Sequence, residues 1–516
     1  MIEKGSADVI HLHPNDDVCV AVSDLDAGST LHMDDRQITL AHAVPMGHKV
    51  AVNEIACGQP VHKYGQIIGL ATQDIGRGDW VHSHNLAIGE FARDGAAASE
   101  VPPALTPITD RSFEGFRRAN GKSGTRNYIA VISTVNCSAS VAKYIARHFD
   151  RESLQAYPNV DGVVAFTHQG GCGIQFGGYA HEMLNRVLAG IATHPNIGAY
   201  LLIGLGCEQA TIESLLDAHP LVQIGGAAQA AGSMPVFTMQ DQGGTRKTVE
   251  AGVRAVEEML PQVNSATRET IPASEIILAT ECGGSDGNSG ITANPAVGVA
   301  SDMIVACGGT VILSETSEIY GAEHLLTRRA RNAGVAKKLM DRLEWWKKYV
   351  GMYGVELDNN PSVGNKAGGL TTIAEKSLGA VAKAGSTALE NVYQYAESVQ
   401  TKGLVVMDTP GYDPPSVTGM VAGGANVVVF TTGRGSCFGC KPAPTIKIAT
   451  NSPMYAKMEE DMDINAGVIL AGTPLADIGQ DIFEEILTVA SGKKTKSETH
   501  GIGDEEFVPW TVGPTL

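Results

Sequence analysis

Apolar and polar positions follow two different patterns along this chain, and the change falls near residue 113. Residues 8–92 hold short runs, VCVAVS, KVAVNEI, PVHKYGQIIGLA and DWVHSHNLAI, separated by Gly, Asp and Pro and without a helical period. Such runs predict a small all-β module. Residues 93–112 are small, proline-containing and aperiodic, as in an interdomain linker. From residue 113 short apolar runs alternate with amphipathic stretches. YIAVIST, VVAFTH and YLLIGLG read as buried parallel strands, and SASVAKYIARHF, GYAHEMLNRVLAGI and ATIESLLDAH as the helices between and after them. The longer helix TRKTVEAGVRAVEEMLPQV closes this block. A further block opens with IILAT and continues through TVILSE, GLVVMDTP, ANVVVFTT and TIKIAT, with EHLLTRRARNAGVAKKLMDRLEWWKKYV as a helical segment. The predicted architecture is α/β with a mostly parallel sheet, divided as 1–92 (all-β), 93–112 (linker), 113–268 (middle α/β) and 269–516 (C-terminal α/β).

At 516 residues the chain is too long for one hydrophobic core. A net charge of −18 argues against nucleic acid or an anionic membrane as partner. No run of about 18 apolar residues predicts a membrane span. The polar start has no secretory core, and nine cysteines in a chain of this length read as free thiols or ligands, so the expected location is the cytoplasm.

Four cysteines each follow an apolar run: Cys137, Cys172, Cys207 and Cys282, the first three spaced by 35 residues. Ligands of parallel sheets collect outside the carboxyl ends of the strands, where these thiols are expected. They suit a soft metal or an iron–sulfur cluster, although the spacing matches no standard cluster motif; the alternative is small residues at tight strand–helix junctions. In the first module, His48 and Lys49 start a strand, His62 and Lys63 meet a turn, and His82 and His84 at i, i+2 are expected on one strand face, as a metal pair or acid/base pair or as a solvated strand. The loop ECGGSDGNSG offers Ser285, Asp286 and Asn288, and is neither a dinucleotide fingerprint nor a phosphate loop. Glu315, Glu318, Glu323 and His324 follow the next strand; Glu318 and Glu323 read individually as solvated helix carboxylates. Lys366 and Lys376 lie in or beside a Gly-rich loop, and Arg434 and Lys441 after a strand suit a substrate carboxylate. Cys437 and Cys440 form a C-x-x-C without a second pair.

Taken in order, GHKVAV, KYGQIIG, GDWVHSHN, NGKSGTRNYIAVISTVNCS, GCGI, GLGCE, ECGGSDGNSGITANPAVG, NPSVGNKAGGL, FTTGRGS and DMDINAG resemble the altronate/galactarate dehydratase family over the full length. The resemblance implies an N-terminal SAF (β-clip) domain, a dimerising middle domain and a Rossmann-like C-terminal domain with a metal site. It implies sugar-acid dehydration with Fe2+, Mn2+ as second choice and an iron–sulfur cluster as the alternative, in a homodimer. The HSHN segment and the EFVPW ending resemble the altronate side of the family, which converts D-altronate to 2-dehydro-3-deoxy-D-gluconate and water. Galactarate dehydration, a sulfolactate-type sulfo-lyase and a non-catalytic sugar-acid binder are the other readings. On this basis the expected metal ligands are Cys282, Asp286, Glu315 and His324. Ser285, Asn288, Lys366, Arg434 and Lys441 are expected to bind substrate. His82, His84, Lys49 and His62 are the expected catalytic groups, carried to the site by a module that moves on its linker.

Overall fold

A computed structural model describes residues 8–33, 36–89, 96–219, 221 and 235–513. The first module is built from short antiparallel ladders in sheets of four, three and two strands, as its punctuated runs predict. Part of the predicted linker lies outside the described residues. The rest is pinned to the C-terminal domain by backbone bonds from Ala98 to Thr327, Glu100 to Arg328 and Ile108 to Ala306.

In the middle domain, Tyr128–Ser133 is flanked by Gly162–Phe166 and Ile197–Gly204, with Val236–Thr238 outside the latter, all parallel. The C-terminal domain is built on a seven-stranded sheet, parallel throughout. In chain order its strands are β1 (Ile277–Cys282), β2 (Thr310–Leu313), β3 (Leu389–Tyr393), β4 (Gly403–Met407), β5 (Val427–Thr432), β6 (Thr445–Ala449) and β7 (Ile464–Asn465). They lie in the order β3-β4-β2-β1-β5-β6-β7. The five inner strands carry the continuous apolar runs expected of strands covered on both faces. The edge strands β3 and β7 have none, which is why their sequences carry no strand signal. The predicted helical segment 323–350 is two helices, Glu323–Thr327 and Ala333–Gly351, because the Asn332 side chain accepts from Val335 N–H and starts the second one anew.

The three domains are not separate bodies. Val61, Ile68 and Val81 of the module share one core with Leu278, Ala293 and Leu378 of the C-terminal domain. Tyr128, Ile132 and Leu188 of the middle domain share another with Met420, Val428 and Phe430. Two lysines fasten the module more tightly still. Lys49 and Lys63, both fully buried, reach Glu375 on the helix Ile373–Ala380 at 2.9 and 2.8 Å. A module so held does not swing on a linker. Among the described residues no helix is long and apolar enough to cross a membrane.

Candidate active site

Strand order reverses at β1, whose neighbours β2 and β5 leave it in opposite directions along the sheet. A crevice forms outside the carboxyl ends of the strands at such a switch point. Cys282 is the last residue of β1, and Glu315 stands two residues past β2. Glu315 has φ +62°, a left-handed conformation that is costly for a residue with a Cβ, and its N–H is tied to Thr409 Oγ1 at 2.7 Å. The strained turn aims its carboxylate back over β1. Cys282 Sγ lies 3.5 Å from both Glu315 oxygens and 4.0 Å from Glu318 Oε2. Among the described residues these are the three donors that come within 4.8 Å of one another, and all are buried.

Two lysines enter the cluster from the opposite wall. Lys383 Nζ sits 2.8 Å from Cys282 Sγ and 2.7 Å from Glu315 Oε2. Lys376 Nζ reaches Glu318 Oε1 at 2.6 Å, where Asn360 Nδ2 also donates at 2.7 Å. Burial would strip the proton from Lys383, but the thiol and Glu315 hold its pKa above the usual lysine value. Burial, reinforced by Glu315, pushes the Cys282 thiol up. Glu281 is pushed well above the carboxylate range by burial and then by Glu315 and Asp413. Its Oε2 accepts from Ser314 and Ser416, while its Oε1 has no partner. Asp413 opens the helix Asp413–Ala422, and its pKa is pushed up to about 7 by burial, then by Glu315 and Glu318. It presses on the β1 turn: a Cβ at Gly283 would lie 2.2 Å from Asp413 Oδ2.

The donor set suits a borderline divalent ion such as Fe2+, because it joins one soft sulfur to two hard carboxylates. The unpartnered Glu281 oxygen beside it agrees with a site built for more than its own hydrogen bonds.

The module supplies a second group, joined to the first through the loop 360–372. His48 Nδ1 accepts from Trp80 Nε1 at 3.1 Å, so its other nitrogen, 3.3 Å from the Ala367 carbonyl, is the donor. His82 Nε2 donates to the Lys366 carbonyl at 2.8 Å, leaving Nδ1 to accept from Ser83 at 2.9 Å. The two rings stack at 5.2 Å. Burial is the main reason both imidazoles stay neutral, with His48 lowered to about 4 and His82 lowered as well. The loop then passes close beneath the glycines of the β1 turn. Asn365 Nδ2 donates to the Ser285 carbonyl at 2.8 Å, and Gly287 N–H to Gly368 O at 2.7 Å. Any side chain at Gly287 would strike the Gly47 carbonyl at 1.9 Å, so the module can seat only on glycine. Ser285 Oγ and Asn288 Oδ1 are buried here without a partner.

The other expected site residues fall elsewhere. Asp286 accepts from Ser289, Asn288, Thr450 and Asn451 and from a backbone N–H, which makes it the knot of the loop and leaves it outside the donor triad. His324 faces the module, 2.9 Å from Gln66 Oε1, and is also outside the triad. Glu318 takes the place the sequence reading gave them; the 3-10 turn Thr316–Glu318 buries it, where a solvated helix face was expected. Strand alternation turns Lys63 inward and His62 outward, to Asp17 at 2.7 Å. Lys49 serves Glu375 and the Gly369 carbonyl. His82 and His84 do not share a strand face, because Asn85 accepts from His82 N–H and closes a turn; His84 is left exposed against Trp80. Arg434 follows β5 and lies beside Gly284 and Gly368. Lys441 precedes β6, hence at the amino-terminal edge of the sheet, paired with Asp504 at 2.5 Å. Cys440 is buried and Cys437 exposed, both unpaired. Lys383, Glu281 and Asp413 were not singled out from the sequence, since nothing in their neighbours distinguishes them from helix-surface or strand residues.

Comparison with known proteins identifies the family. Family models match residues 7–89 (Altronate/galactarate dehydratase SAF domain), 115–264 (D-galactarate dehydratase/Altronate hydrolase, second domain) and 273–515 (D-galactarate/Altronate dehydratase, C-terminal). The chain is 38% identical to galactarate dehydratase (L-threo-forming) of Escherichia coli (strain K12), over 98% of this chain and 97% of that one. It is 36% identical to altronate dehydratase of the same organism and 36% identical to altronate dehydratase of Bacillus subtilis (strain 168), in each case over 98% of this chain and 99% of the relative. With three domain matches in order and relatives aligned end to end, the chain belongs to the altronate/galactarate dehydratase family of hydro-lyases.

Proposed function

We propose that this chain dehydrates a sugar acid at the carboxyl edge of β1 and β2, with D-altronate as substrate and 2-dehydro-3-deoxy-D-gluconate and water as products. The observation that carries the reading is the buried Cys282–Glu315–Glu318 triad bridged by Lys376 and Lys383 at the sheet's switch point. Those three residues would hold the divalent cation, Fe2+ before Mn2+. Bound there, the cation supplies Lewis-acid stabilisation of the negative charge that develops when the proton beside the substrate carboxylate is removed.

The chain's own groups divide the remaining work. Arg434 and Lys366 make no ion pair among the described residues and flank the same loop, where a guanidinium can grip one carboxylate in bidentate fashion. A single such station suits an acid with one carboxylate; an aldaric acid, with two, asks for another. Ser285 and Asn288 offer unpartnered oxygens to substrate hydroxyls. His82, neutral with its basic Nδ1 on Ser83, is suited to accept the C2 proton. Asp413 is half-buried at the lip of the cluster and suited to protonate the departing C3 hydroxyl. Lys383 keeps its proton between thiol and carboxylate and offsets the charge of Glu315.

Anaerobic assay of the iron-loaded protein against altronate and galactarate tests the reading. A 2-keto-3-deoxy acid from altronate is expected. Product from galactarate alone refutes the choice of substrate, and no product from any sugar acid with iron bound refutes the reaction.

A further inference from the structure

The middle domain gathers three thiols that the proposed reaction does not use. Cys137, Cys172 and Cys207 follow three adjacent parallel strands, so all stand outside the same carboxyl edge of one sheet. Each is exposed and unpaired. Free cysteine is among the most often buried residue types, so three exposed thiols on one sheet edge call for a reason.

Their loops are laced to one another beside the sulfurs. Asn136 N–H, next to Cys137, donates to Gly170 O at 3.0 Å. Gly171, next to Cys172, accepts from Gln209 and Ala210 N–H, both at 3.0 Å. Glu208, next to Cys207, is buried; it accepts from Thr134 at 3.1 Å and from the N–H groups of Leu205, Gly206 and Cys207. His168 ties the second loop to Ser133 O at 3.0 Å, and His181 Nε2 contacts Gln209 O at 3.2 Å. Gly171 and Gly206 hold φ at +93° and +119°. A Cβ at Gly171 would meet Thr134 O at 2.3 Å, so the first two loops touch as closely as backbone allows. Three thiols are thus presented on a rigid, preorganised rim. Cys137 lies in the turn that feeds the nine-residue helix Ala139–Arg147.

The spacing argues against a single ion held by all three sulfurs. Among the described residues, only Cys282, Glu315 and Glu318 bring three donors within 4.8 Å of one another. At least one pair of the middle-domain sulfurs is therefore wider apart than that. One ion would need all three around a single centre; a polynuclear group, with one thiolate on each of several irons, spans the wider rim. We propose that Cys137, Cys172 and Cys207 bind an iron–sulfur cluster on the middle domain, with three protein thiolates and one iron left for an external oxygen ligand. This site is separate from the Cys282 triad and does not rest on the dehydration reading.

The full-length protein, reconstituted anaerobically with ferric iron, excess thiol as the reductant and sulfide, tests this. It should bind acid-labile sulfide and show visible charge-transfer absorption. Cys137→Ser, Cys172→Ser and Cys207→Ser should each lose most of both, while Cys282→Ser and Cys57→Ser retain them. Circular dichroism checks that the variants fold. Without any mutation, the reconstituted wild type should protect Cys137, Cys172 and Cys207 from alkylation while exposed Cys57 and Cys437 still react. Wild type without labile sulfide, the metal bound as zinc alone, or equal alkylation of all five exposed thiols would overturn the proposal.

Discussion

Glu375 is the residue whose loss should most clearly separate the module from the rest of the chain. Its carboxylate is wholly buried between two ammonium groups, at 2.9 Å from Lys49 and 2.8 Å from Lys63. Despite burial, the two lysines hold its pKa below the carboxylate range. In Glu375→Gln the shape is kept, but two buried cations lose their counter-charge. Lys49 retains the Gly369 carbonyl at 2.7 Å, whereas Lys63 retains only Tyr64, through its side-chain hydrogen bond and its ring at 4.8 Å. Breaking a buried pair from one side costs about 3–5 kcal/mol. A ceiling exists, because Lys63 can shed its proton instead. From a normal value near 10.4, neutralising one lysine at pH 7 costs about 5 kcal/mol. The expected loss is therefore about 3–5 kcal/mol, read by denaturant unfolding and by hydrogen exchange of the module strands. The penalty is pH-dependent. The lone folded lysine has a pKa below its unfolded value, so between the two the unfolded chain binds more protons and stability rises with pH. Glu375→Gln should thus approach wild type as pH climbs toward 10, the ordinary lysine range. Adding Lys63→Met should restore most of the loss at neutral pH, since an apolar replacement removes the unpaired charge. A Glu375→Gln protein within about 1 kcal/mol of wild type at pH 7, with unchanged exchange in the module, would refute the reasoning.

Other outcomes follow from the same geometry. Cys282→Ser and Glu318→Gln should each lower affinity for added Fe2+ by at least about 10–100-fold, read by equilibrium dialysis, with the fold intact by circular dichroism. His82→Ala should cut kcat by about 10²–10⁴-fold while iron content stays at the wild-type level; unchanged turnover would remove His82 from the proton-transfer role. Arg434→Gln should raise KM for a sugar acid more than it lowers kcat, because its contact with the carboxylate is made before and during reaction alike. Lys441→Ala, at the far edge of the sheet, should leave kinetics untouched and change stability by less than about 1 kcal/mol; a catalytic defect there would contradict the placement.

The short-period runs of residues 8–92 and the strand–helix alternation after residue 113 determined the α/β architecture and the presence of an all-β module. Continuous runs such as YIAVIST and ANVVVFTT belong to strands covered on both faces, and local composition is enough to reveal them. The same runs placed Cys282, Glu315 and Arg434 at strand ends, where a parallel sheet gathers its ligands. Tertiary structure alone decided which side chains meet there. Lys383 and Cys282 are 101 residues apart in sequence, and Lys49 and Glu375 are 326 apart. No periodicity records such a pairing, because it depends on strand order and on how the module seats against Gly287. The short turn Thr316–Glu318 buried a carboxylate that its composition marked as solvated, and four donors made Asp286 a structural knot where a metal ligand was expected. Local sequence sets which backbone forms; burial and the partner across the sheet set what each charged group can do.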